Sequence, residues 1–274
     1  MPSKDKVLLV KGSKTGLGDR IRAVLVGLIY AEYTNRSISV DWRDGMYGPL
    51  NENVFDIFFE VKNLRYKSVL SLDDADVMPL SWKGRIHKSM DCVYIEDGAP
   101  TWDREQAIKK YSIDFGDVGC KNSILVSWDF TQLEKLRPLL PIDIKNESIE
   151  TIEKWAWRRY LKFTPEIEGE IDKFFEGING NTVGLHIRAT NEFSLEKGGV
   201  GLDKYFTALD RILKKIDVQR IMVATDNTDV LRAMMERYPQ ATSQPKWFAK
   251  PGDPIHLDSS CLDAFQMAKD ALIE

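Results

Sequence analysis

An α/β fold made of two Rossmann-like halves is predicted by three features of the sequence. The first is a strand, Val183-Gly184-Leu185-His186-Ile187-Arg188, whose apolar residues at 183, 185 and 187 alternate with Gly184, His186 and Arg188. The second is Arg220-Ile221-Met222-Val223-Ala224-Thr225-Asp226-Asn227, another apolar strand, which runs into a helix beginning near Thr228. Between them, at about 202 to 217, Leu202, Tyr205, Phe206, Leu209, Ile212 and Leu213 form one helical stripe. A right-handed βαβ crossover makes the two strands parallel and brings both polar ends to one edge of the sheet. The third feature is the same order at the start of the chain. Lys6 to Val10 reads as a strand, Gly12 to Asp19 as a Gly-rich turn, the stretch to about Thr34 as a helix, and Ser37 to Asp41 as a strand.

The middle is less regular. Short apolar segments fall at 66 to 72, 92 to 95 and 123 to 128, with helical stretches near 102 to 111 and 147 to 162. Thr164-Pro165-Glu166 reads as an N-cap, a proline at the first helical position and an acidic first turn. The domain boundary is therefore expected at 164, giving domains 1–164 and 165–274, with a helix over 165 to 177 leading into the His186 strand. The last segment, Asp263 to Glu274, reads as a helix that stops without a glycine cap or a polar tail. On that pattern the C-terminal domain is expected either to be incomplete in the sequence as given or to close on a simple terminal helix.

With 274 residues, 43% apolar and 29% charged, the chain has material for one large or two medium cores. A net charge of −4 gives no electrostatic reason to expect nucleic acid or an anionic membrane as partner. No run approaches the roughly 18 apolar residues of a membrane span, and the start lacks a secretory apolar core, so a cytoplasmic protein is expected. Cys92, Cys120 and Cys261 are odd in number and far apart, and the three histidines are equally scattered. Neither a disulfide framework nor a metal centre is indicated.

Arg188 carries most of the chemical signal. Ligands of open α/β sheets sit beyond the carboxyl ends of strands, and a guanidinium there grips phosphate bidentately and does not titrate near neutral pH. An arginine paired with a surface carboxylate is the alternative. Asp226 suits a base or ribose, although an N-cap role explains Asp226 or Asn227 equally well. In the N-terminal turn, Lys14-Thr15 precedes Gly16, which excludes a Walker A frame, and Gly16-Leu17-Gly18 lacks the third small residue of a dinucleotide fingerprint. Its glycines serve either ligand approach to a helix N-terminus or tight-turn geometry. Asp74-Ala75-Asp76 has D-x-D spacing, but it lies in an acidic turn without a preceding apolar strand. Tryptophans such as Trp42, Trp82, Trp102 and Trp128 are read as core or rim before sugar-stacking platforms.

Taken together, Gly16-Leu17-Gly18-Asp19, Asp41-Trp42-Arg43, Asn53-x-Phe55-x-x-Phe58-Phe59-Glu60, Gly184-Leu185-His186-Ile187-Arg188, Ala224-Thr225-Asp226 and Pro254-x-His256 resemble the NodZ-type nodulation fucosyltransferases. That group stands with the α1,6-fucosyltransferases and, more distantly, the protein O-fucosyltransferases. The resemblance runs in order across nearly the whole chain. It implies a GT-B-like fold, two Rossmann-like domains facing a cleft, with GDP-fucose bound by the C-terminal domain and the acceptor side formed by the N-terminal one. It further implies an inverting, metal-independent transfer of fucose from GDP-fucose to a sugar hydroxyl of an oligosaccharide, with no cofactor.

Carried over by the resemblance, Arg188 holds the β-phosphate and neutralises departing GDP, and His186, Asn191, Asp226 and His256 contribute to donor binding. Gly16, Gly18 and Arg43 are expected on the acceptor side or in the cleft. Ala189 departs from a second basic residue common in the wider family, and Asn191 from its frequent aspartate. The family also continues past the position of Glu274 into another strand and helix start. The residues single out no catalytic base; Glu192 and Asp44 are the carboxylates to consider. Another nucleotide-sugar donor on the same scaffold and a non-catalytic nucleotide- or glycan-binding module stand as the alternatives.

Overall fold

A computed structural model describes residues 6–72, 76–98, 103–115, 122–126, 133–178, 180–189, 201–246, 248 and 261–273. The chain divides into two compact units, Met1–Thr164 and Pro165–Glu274.

In the first unit, β1 (Val7–Lys11) leads through the glycine turn into α1 (Leu17–Tyr33) and then β2 (Ser37–Asp41). There follow α2 (Val54–Phe58), β3 (Phe59–Val61), the two-residue β4 (Val77–Met78), α3 (Met90–Glu96), α4 (Arg104–Tyr111) and β5 (Asn122–Val126). The short α5 (Leu133–Leu136), α6 (Ile149–Tyr160) and β6 (Leu161–Phe163) complete it. The main sheet has the order β2-β1-β5-β4 and is parallel throughout. Every residue of β1 and β2 is buried, as expected of strands covered on both faces.

The two faces of β1 do different work. Leu8 and Val10 point at α1, where a Cβ on Gly27 would lie 2.8 Å from Val10 Cγ2, so the glycine permits close helix–strand approach. Val7 and Leu9 point the other way, into a core with Val69, Trp82, Met90, Val93, Tyr111 and Ile124. Lys11 continues that second face, with its ammonium 5.3 Å from the Trp82 ring centroid. Trp42 and Trp82 are fully buried, which removes both as sugar-stacking platforms.

One segment differs from the sequence expectation. The helical stretch expected near 147 to 162 ends at Tyr160, because Leu161–Phe163 pairs antiparallel with Phe59–Val61. Phe59 stacks on Phe163 with ring centroids 5.7 Å apart. Trp157 meets both rings edge-on, so a pairing between residues a hundred positions apart overrides the local helical pattern.

An ionic knot joins α3 to α4. The Asp97 carboxylate accepts from Arg85 Nη1 at 2.6 Å and Tyr111 Oη at 2.8 Å, and pairs with Lys110 Nζ at 2.7 Å. The Arg85 hydrogen bond, followed by those of Lys110 and Tyr111, holds the Asp97 carboxyl well below the usual carboxylate range. The folded state therefore gives up this proton more readily than the unfolded chain. The resulting stabilisation is complete above the unfolded value of about 4 and disappears as pH falls toward the folded value. Denaturant midpoints of Asp97→Asn should accordingly fall less steeply than those of the parent between about pH 4 and pH 2. Parallel acid limbs would remove Asp97 from the account of acid unfolding.

The second unit begins with α7 (Pro165–Phe175), with proline at its first position and Glu166 and Glu168 in its first turn. It continues with β7 (Thr182–Ile187), α8 (Leu202–Leu213), β8 (Arg220–Thr225), α9 (Thr228–Arg237), β9 (Ala241–Thr242) and α10 (Cys261–Ile273). Its sheet, β7-β8-β9, is parallel, and Ile187 lies opposite Thr225. One face packs Ile187, Ile221 and Val223 against Leu209 of α8 and Val230 and Met234 of α9. The other face presents Gly184, His186, Met222 and Ala224, which with Phe174 and Phe175 line an apolar pocket of about 320 Å³.

Candidate functional site

Two places in the chain concentrate polar chemistry, one in each unit, and both lie at the carboxyl ends of parallel strands. In the second unit, β7 ends in Ile187, which is buried, and the next residue, Arg188, is exposed. The parallel register sets this end beside the end of β8, and Asp226 Oδ1 accepts a hydrogen bond from Ala189 N at 2.7 Å. Asp226 thus ties the two strand ends together. The N-cap role belongs to its neighbour, since Asn227 Oδ1 accepts from Asp229 N at 2.9 Å and Val230 N at 3.0 Å. That cap starts α9 and fixes the direction of the chain leaving β8.

His186 is exposed on the open face of the sheet, one residue short of the strand end. It lines the apolar pocket, whereas Arg188 does not. Asn191, Glu192 and His256 lie outside the described residues, as do Asp74, Trp102 and Trp128.

In the first unit, the ends of β1 and β2 and the start of α3 enclose a pocket of about 300 Å³. Its floor is Asp41, which accepts from Lys11 Nζ, from Arg43 Nε at 2.7 Å and from Arg43 Nη2 at 3.1 Å. Lys11 Nζ also donates to Ile86 O at 3.1 Å. Burial pulls the Lys11 ammonium below the ordinary lysine value. Burial alone would raise the Asp41 carboxyl, but the Lys11 charge and the Arg43 hydrogen bond hold it below its ordinary value. His87, Lys88, Ser89, Cys92 and Glu96 form the rim on the α3 side.

Beneath this pocket Arg20 is wholly buried. Its guanidinium reaches Asp44 through Nη2 at 2.6 Å and Nη1 at 3.2 Å, donates to Ser13 O, and lies 5.6 Å and 5.0 Å from the ring centroids of Trp42 and Tyr47. A Cβ on Gly12 would stand 2.7 Å from Arg20 Nη1, so this clamp requires glycine there. Both Asp44 oxygens are engaged by Arg20, which makes Asp44 a structural anion and a poor candidate for deprotonating a sugar hydroxyl. Sequence reading passed over Lys11 and Arg20. Their signal was a lysine closing the apolar run Val7-Leu8-Leu9-Val10 and an arginine two residues behind Gly18.

Gly16 and Gly18 behave differently from Gly12. Gly16 caps α1 with φ −58° and no side-chain cap, Gly18 lies inside the helix, and a Cβ on either would meet nothing within 4 Å among the described residues. Neither backbone conformation nor packing against the described residues demands glycine at these two positions. Gly18→Ala should therefore leave thermal stability unchanged or raise it, by up to about 1 kcal/mol. If this turn serves ligand approach, the same variant loses turnover, and a melting curve beside an activity assay separates the two effects. A melting temperature lowered by several degrees would return the glycine to a packing role.

No protein-family model matches the chain. Its sequence is 24% identical to nodulation protein Z of Bradyrhizobium diazoefficiens over 287 aligned positions, covering 93% of this chain and 69% of that protein. Among solved structures, fucosyltransferase NodZ from Bradyrhizobium superposes with a TM-score of 0.63 at 21% identity, covering 99% of this chain and 84% of the other. NodZ α1,6-fucosyltransferase soaked with GDP-fucose gives a TM-score of 0.63 at 18% identity, over 98% and 84% of the two chains. The chain shares the fold of NodZ. Its class is thus α/β and GT-B-like, with a parallel sheet in each unit. No helix among the described residues is long and apolar enough to cross a membrane.

Proposed function

We propose that this protein is a fucosyltransferase-like glycosyltransferase that moves fucose from GDP-fucose to a sugar hydroxyl of an oligosaccharide acceptor. The observation that carries the reading is Arg188, exposed at the carboxyl end of β7 beside the Asp226 tie, in a chain that shares the fold of a NodZ soaked with GDP-fucose. In this reading the second unit binds the donor and the first serves the acceptor.

Arg188 holds the β-phosphate. The acceptor hydroxyl attacks the anomeric carbon of fucose from the side opposite GDP, so the new C–O bond forms as the bond to the phosphate oxygen breaks and the configuration inverts. Charge accumulates on the departing diphosphate, and a preorganised guanidinium that meets it lowers the barrier without a metal ion. The hydroxyl proton leaves to a carboxylate or to water. His186 and Asp226 belong to the donor side with Arg188, together with Asn191 and His256 from the sequence reading. Gly16, Gly18 and Arg43 belong to the acceptor side. The protein works in the cytoplasm, needs no cofactor, and takes a nucleotide sugar and a glycan as partners.

Calorimetric titration with GDP, GDP-fucose, GDP-mannose and UDP-N-acetylglucosamine tests this. Selective binding of guanine nucleotides, with release of GDP from GDP-fucose when an acceptor is added, supports the transferase. Binding of GDP without any turnover across an acceptor screen would leave a nucleotide-binding module. Preference for UDP-N-acetylglucosamine would replace the donor, and failure to bind any of the four would overturn the reading.

A further inference from the structure

We propose that one end of the first unit is a docking surface for an anionic phospholipid bilayer, with Lys62, Arg65, Arg158 and Arg159 meeting the headgroups and Tyr33 and Ile142 entering the interface. The proposal is independent of the transferase reading.

Helix direction builds this end. Arg22 Nε donates to Glu153 at 2.7 Å and, further along both helices, Arg159 Nη2 donates to Glu32 at 2.6 Å, so α1 and α6 run the same way and finish together. The turn after β3 closes over the end of α6. Lys62 Nζ donates to Arg158 O at 2.8 Å and Asn63 Nδ2 to Arg159 O at 2.7 Å. The same turn reaches the amino end of β2, where Ile38 N donates to Arg65 O at 2.9 Å and Ser37 N to Lys6 O at 2.8 Å. Tyr33, the last residue of α1, stands within electrostatic reach of Arg159 and of Asp143, the neighbour of Ile142. This is the opposite end of β1 and β2 from the pocket floored by Asp41.

Charge and exposure then select the partner. Lys6 and Lys67 flank β2 at this end and join Lys62, Arg65, Arg158 and Arg159, whereas the carboxylates placed among them are Glu32 and Asp143. Even with roughly half a negative charge from each helix end, an excess of about three positive charges remains. The net charge of −4 conceals this face, because the excess of acid lies elsewhere on the chain. Each basic side chain close to an anionic bilayer strengthens partition about fivefold, so three favour it over a neutral bilayer by about 10²-fold. Ile142 is 81% and Tyr33 37% exposed at the edge of these cations. An aliphatic side chain adds nothing to the binding of a soluble polyanion, but it leaves water on entering the headgroup region, where tyrosine keeps its ring apolar and its hydroxyl wet. The combination selects a lipid surface over a nucleic acid.

Flotation of the whole chain with lipid vesicles tests the proposal. Vesicles of phosphatidylcholine alone are compared with vesicles containing about 30% phosphatidylserine, each at low and at high salt. Binding is expected to be stronger on the serine lipid by about 10²-fold at low salt and to weaken as salt rises. Arg65→Gln with Arg158→Gln should lower it by about 25-fold, whereas Ile142→Ser should lower it several-fold and leave the salt dependence unchanged. All three positions are exposed, and Arg158→Gln alone, at about fivefold, takes over should the double variant not fold. Equal binding to both vesicles, no binding to either, or undiminished binding in a folded charge variant would each overturn the proposal. A polynucleotide bound more tightly than the serine vesicles, and indifferent to Ile142→Ser, would overturn it in favour of a nucleic-acid face.

Discussion

Arg188→Ala is expected to lower fucose transfer by about 10²- to 10³-fold, the cost of removing one preorganised donor from a site of developing charge. Its GDP affinity should fall by about 2 kcal/mol, the scale of a lost hydrogen bond to a charged group and roughly a 30-fold weaker constant. Stability should move by no more than about 0.5 kcal/mol, because the side chain is exposed past the last buried residue of β7. Arg188→Lys keeps the charge and loses the planar fork, so it should recover part of the binding and little of the rate. Titration, turnover and a melting curve on the same preparations read all three quantities. Undiminished GDP affinity in a folded Arg188→Ala protein would remove Arg188 from the donor site.

Asp44→Ala should destabilise the first unit by about 3–5 kcal/mol, the cost of leaving a buried charge without its partner. The Arg20 side chain is wholly buried and that of Asp44 is 5% exposed, and the guanidinium would lose both of its hydrogen bonds to that carboxylate. The paired replacement Arg20→Met with Asp44→Leu should restore much of the loss, since it removes both charges together. Urea unfolding followed by tryptophan fluorescence checks this, because Trp42 lies directly against the Arg20 guanidinium. The same variant decides the role of Asp44 in chemistry. A catalytic base would cost turnover while leaving the unfolding midpoint in place, whereas the clamp predicts a lowered midpoint.

Several elements were legible in the residues alone. The βαβ of the second unit was readable because its strands alternate and its crossover helix carries an apolar stripe, and the structure has the parallel pair with Ile187 opposite Thr225. The opening strand, helix and strand of the first unit were readable for the same reason. What escaped were features made by distant residues. The β3–β6 pair joins positions about a hundred residues apart, and no local pattern records the partner that turned the end of a helical segment into a strand. The clamp of Arg20 was likewise hidden, since its carboxylate comes from the loop after β2 and its aromatic walls from Trp42 and Tyr47.

The sequence by itself determined the α/β class, the placing of Arg188 at a strand end and the order of motifs that resembles the nodulation fucosyltransferases, because periodicity and motif spacing are local properties of the chain. Only the tertiary structure decided which polar residues share a site. Lys11, Asp41, Arg43, His87 and Cys92 meet because parallel strands end on one edge of a sheet and α3 closes over it. Side-chain chemistry is written residue by residue, but a site depends on distances that only packing sets.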